Sequence, residues 1–97
     1  MDSAVSPLRP PDFIAMFAQG PHGDETPSGD TWHTVLSVQS HCWSARVRLI
    51  ERIDGAGTMA EVWLCQRASA LCMFPARTEF LAWQGGEIRR GYVMAVA

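Results

Sequence analysis

From Trp43 to Ile50 the chain alternates residue by residue: Trp43, Ala45, Val47 and Leu49 are apolar, while Ser44, Arg46, Arg48 and Ile50 are mostly polar or charged. A period of two belongs to an extended strand, whose successive side chains face opposite sides of a sheet. One apolar side and one charged side mark a half-buried antiparallel strand. The same period recurs. Trp32, Thr34, Leu36 and Val38 oppose His33, Val35 and Ser37, and Ala60, Val62 and Leu64 oppose Glu61, Trp63 and Cys65. Phe13, Ala15 and Phe17 alternate with Ile14, Met16 and Ala18, apolar on both sides, which suits a strand covered on both faces.

Turn chemistry separates these segments. Residues 20–30 are a polar run carrying three Gly and two Pro, and Asp54-Gly55-Ala56-Gly57 breaks the next strand. Gly85 and Gly86 stand between two strand patterns, where they supply the positive φ angles of a tight hairpin turn. Within Gln66 to Arg77, Ala68 to Met73 has the composition of a helical turn, too short for an independent helix and ended by Pro75. Strands at roughly ten-residue intervals with turns between them predict an all-β sandwich or barrel.

A chain of 97 residues has room for one core. Residues 1–11, with Pro7, Pro10, Pro11 and no periodicity, read as a flexible or extended arm, and 12–97 as a single barrel domain. An apolar fraction of 47% excludes a disordered chain, and a net charge of −2 offers no bulk attraction to nucleic acid or an acidic membrane. No stretch approaches the ~20 apolar residues that span a bilayer. Met1-Asp2-Ser3-Ala4-Val5 lacks a secretory signal's basic start. A cytoplasmic location with Cys42, Cys65 and Cys72 as free thiols is therefore expected. All eight basic residues are Arg, a bias explained by a GC-rich genome; selection for planar, bidentate recognition is the functional alternative.

The order of elements resembles the third domain of elongation factor Tu and the small free-standing proteins related to it. In that family an opening strand precedes a Gly-Gly-Arg-His-Thr-Pro loop; here Asp12 to Phe17 precedes Gly23-Asp24-Glu25-Thr26-Pro27. The family's closing hairpin carries a glycine pair and a later glycine, matched in register by Gly85, Gly86 and Gly91 within Phe80 to Val93. The resemblance implies a six-stranded antiparallel Greek-key barrel of the translation-factor type. The departures bear on function. Asp24 and Glu25 replace the family's Arg-His, and Glu87 replaces the Arg after the glycine pair, so anions stand where the family's cations meet transfer RNA.

No group of residues marks a catalytic, cofactor or metal site. His41-Cys42 lacks the close Cys-x-x-Cys spacing of a zinc site and any orienting partner for a nucleophile. The loop residues His22, Asp24, Glu25 and Asp30 do not follow the regular ligand spacing of a calcium loop. Core packing is the default for Trp32, Trp43 and Trp83. Trp63 is the exception, since it falls on the Glu61 side of its strand, where a cover other than the barrel core is expected. Arg46, Arg48 and Arg89 are assigned to outward strand positions, and with Trp63 they make up the expected contact surface. The expected function is a non-catalytic binding module with an unknown protein partner or a second copy of itself. RNA or transfer RNA binding is the alternative.

Overall fold

The computed structural model describes residues 9–18, 31–53, 55, 57–84 and 87–96. The expected arm up to residue 8, the polar loop 20–30 and the Gly85-Gly86 turn lie outside these. Six strands form: β1 (Phe13–Phe17), β2 (Thr31–Val38), β3 (His41–Ile53), β4 (Gly57–Leu64), β5 (Glu79–Gln84) and β6 (Glu87–Val96). They close in the order β1-β4-β3-β2-β5-β6, with β6 returning to β1 and every neighbouring pair antiparallel. The expected six-stranded antiparallel barrel is the observed fold. Between β4 and β5 the chain makes one short helix, α1 (Arg67–Ala70), and a 3₁₀ turn over Leu71–Met73, and it leaves both before Pro75.

The inward half of each alternation builds the core: Phe13, Ala15 and Phe17 from β1, Trp32, Leu36 and Val38 from β2, Ala45 and Val47 from β3, and Ala60, Val62 and Leu64 from β4. The stretch after β4 adds Ala70 and Phe74. Phe74 stacks on Phe13 with centroids 5.2 Å apart and meets Phe80 edge-on at 5.9 Å, so aromatic contacts join the helical segment to β1 and β5. Thr34, on the inward side of β2, donates its hydroxyl to the Trp83 carbonyl at 2.6 Å and so offsets the cost of its burial.

Two irregularities bend the sheet. Ile50 is an extra residue on β3 between Leu49 and Glu51, and Met94 is an extra residue on β6 between Val93 and Ala95. Bulges of this kind raise local twist and help a sheet curl to closure. Two glycines permit close approaches. Gly57 has φ +129°, and a Cβ there would stand 2.0 Å from the Phe17 carbonyl oxygen. At Gly91, opposite Phe80 in the ladder, a Cβ would come within 2.6 Å of the Phe80 ring.

Candidate contact surfaces

The surface expected from the sequence is assembled on β3 and β4, with Trp63 at its centre. The register pairs Trp63 with Arg46 and Glu61 with Arg48. The Arg46 and Arg48 guanidinium carbons lie 5.4 and 5.6 Å from the Trp63 ring centroid, within cation–π range. Trp63 lies on the outer side of its strand yet is only 7% exposed, because these arginines and the chain ahead of β1 cover it. Its indole N–H donates to the Arg9 carbonyl at 2.8 Å.

Asp12 fixes that cover in place. Its carboxylate accepts from Arg9 Nη1, Arg67 Nε and the Leu64 N–H, each at 2.7 Å. One buried anion thus ties the segment before β1 to the end of β4 and to α1. Arg48 is likewise engaged, with Nε 2.8 Å from Glu61 Oε1. Arg9, Arg48 and Arg67 therefore each meet a carboxylate of their own chain. Asp12's role has no local signal in the sequence, since the residues that meet it are up to 55 positions away.

Arg89 does not belong to this surface. It shares the inward side of β6 with Gly91 and Val93 and is 7% exposed, which corrects its assignment to an outward position. Arg89 and Arg90 are adjacent and no apolar alternation precedes them, so only the inward Val93 fixes the phase of the strand. His41 and Cys42 also part company. Adjacent strand residues face opposite sides. His41 Nδ1 donates to the Gln39 carbonyl at 3.0 Å and its ring stacks near Trp43. Cys42, Cys65 and Cys72 are exposed free thiols. Among the described residues, no three of His, Cys, Asp and Glu group closely enough to hold a metal ion.

A second surface lies on the outer side of β2, β5 and β6, and its centre is Trp83. The expectation of core packing for Trp83 is not met, since 48% of it is exposed. Phe80 and Ala82 take the inward positions of β5, which turns Leu81 and Trp83 out. The register aligns Val35, Trp83 and Ile88 in one row across three strands. Leu81 and Tyr92 extend the row into a patch, and all five are exposed. The four-residue run Phe80-Leu81-Ala82-Trp83 is apolar throughout, so its period is invisible in the sequence; the signal is Gly91, which must oppose Phe80. No family model matches this chain, and neither a curated protein nor a solved structure matches it.

Proposed function

We propose that this barrel is a non-catalytic protein-binding module whose contact surface is the outer face of β2, β5 and β6. The observation that carries the reading is the cross-strand row Val35–Trp83–Ile88, apolar and exposed on all three strands. Single exposed apolar residues are ordinary, but a contiguous patch on a small domain marks an interaction site. Tryptophan and tyrosine are also the residues most enriched at binding hot spots. The resemblance to the third domain of elongation factor Tu belongs to the same proposal: a translation-factor-like barrel working without the GTPase that such a domain accompanies.

Capture on immobilised chain from source-cell extract tests the reading, with wild type, Trp83→Arg and Arg48→Ala compared. Proteins retained by wild type are expected to be lost from Trp83→Arg and kept by Arg48→Ala. Retention that survives Trp83→Arg contradicts the assignment of this face.

A further inference from the structure

We infer that the Trp83 face takes a second copy of this chain, in a two-fold dimer held by Glu79 of each subunit against Arg90 of the other. The inference rests on the reading of that face as a contact surface. The register sets Glu79 opposite Tyr92 and Leu81 opposite Arg90. These four outward residues are the corners of a quadrilateral, with one charge diagonal (Glu79 and Arg90) and one apolar diagonal (Leu81 and Tyr92). Glu79 and Arg90 are both exposed, and among the described residues neither side chain has a hydrogen bond or ion pair.

Self-complementarity follows from that pattern. A two-fold axis lying in the contact plane along the Leu81–Tyr92 diagonal exchanges the two ends of the other diagonal. Each Glu79 then faces the partner's Arg90, and Leu81 and Tyr92 meet their own copies. An isologous contact forms every unlike pair twice. A partner of uniform charge would instead oppose one of the two charges with its like. The same operation carries Trp83 toward the partner's β2.

Shape and size agree. Two hollows, of about 270 and 480 Å³, flank the charge diagonal; the first is lined by Met16, Ala18 and Tyr92, the second by Ser37, Val38 and Leu81, and Glu79 and Arg90 border both. They leave room for side chains of an apposed copy. A standard interface takes about 800 Å² from each partner, roughly a seventh of this molecule's 5694 Å². An outer face built from three of the six strands can supply that share.

Sedimentation equilibrium on the full chain tests the inference, with circular dichroism confirming that each variant is folded. Wild type is expected to dimerise with a micromolar dissociation constant. Trp83→Arg and Glu79→Arg are each expected to weaken association by about tenfold or more. The double reversal Glu79→Arg/Arg90→Glu should restore it to within about threefold of wild type, because each ion pair is re-formed with its signs exchanged. A wild type that stays monomeric to its solubility limit overturns the inference, as does a double reversal no tighter than the single one. If the dimer is absent but capture from extract still depends on Trp83, self-association falls and the binding face stands. If a dimer forms and ignores all of these substitutions, the inference falls, and capture from extract with Trp83→Arg decides the binding face separately.

Discussion

The Asp12 carboxylate, with 2% of its side chain exposed, is stable inside a small barrel because three donors at 2.7 Å satisfy it. Two are guanidinium groups that themselves remain about half exposed, so the cations keep much of their hydration. Replacing Asp12 with Ala leaves the Leu64 N–H without its acceptor and releases Arg9 from the position that covers Trp63. The expected loss is about 3 kcal/mol in urea unfolding, the scale of breaking a buried ion pair. Arg67→Ala removes one exposed partner and is expected to cost about 1 kcal/mol or less by the same measurement. Gly91 is the second position at which one atom decides the outcome. Any Cβ there meets the Phe80 ring, which is held edge-on by Phe17 and Phe74 and has nowhere to retreat. Gly91→Val is expected to destabilise by about 1–3 kcal/mol through overpacking. A melting temperature equal to that of the parent would mean that β5 and β6 are paired in another register.

Among the elements, β2, β3 and β4 are legible in the sequence because each sets apolar residues against polar or charged ones with period two. Their inward and outward faces follow directly, and Trp63 falls on the outer side for that reason. The phases of β5 and β6 are not legible. Phe80 to Trp83 has no polar residue to mark a face, and Arg89 and Arg90 stand side by side. Tertiary pairing decides both, and it reverses the roles expected for Trp83 and Arg89. The β2–β3 connection was hidden for a different reason. Gln39 and Ser40 both adopt positive φ, 51° and 70°, between the paired residues Val38 and His41. This is the backbone of a two-residue primed hairpin turn, normally announced by Asn-Gly, and neither Gln nor Ser favours it. Ser40→Gly relieves that strain and is expected to stabilise the protein by a few tenths to about 1 kcal/mol. Thermal unfolding checks it; a lowered midpoint would show that the Ser40 conformation carries no strain.

At the scale of the whole molecule, closure leaves a barrel with two unlike sides. The β3–β4 side is charged, and its tryptophan is already covered by arginines and by the chain ahead of β1. The β2–β5–β6 side carries an apolar patch beside the exposed Glu79 and Arg90, and its tryptophan is open. Net charge is −2, and three of the eight arginines, Arg9, Arg48 and Arg67, face carboxylates of their own chain. Titration of transfer RNA or single-stranded RNA at physiological salt, followed by fluorescence anisotropy, is expected to give no saturable binding. A micromolar isotherm that weakens steeply with salt would instead establish a nucleic-acid surface. The claim that the Trp83 side makes the contact is tested most directly by hydroxyl-radical footprinting. The chain in source-cell extract is compared with the same chain alone and dilute. Leu81, Trp83, Ile88 and Tyr92 are predicted to be protected together in the extract, with Cys42 and Cys65 labelled equally in both samples. Protection confined to Cys42 and Cys65, or a Trp83 labelled to the same extent in both, would contradict it.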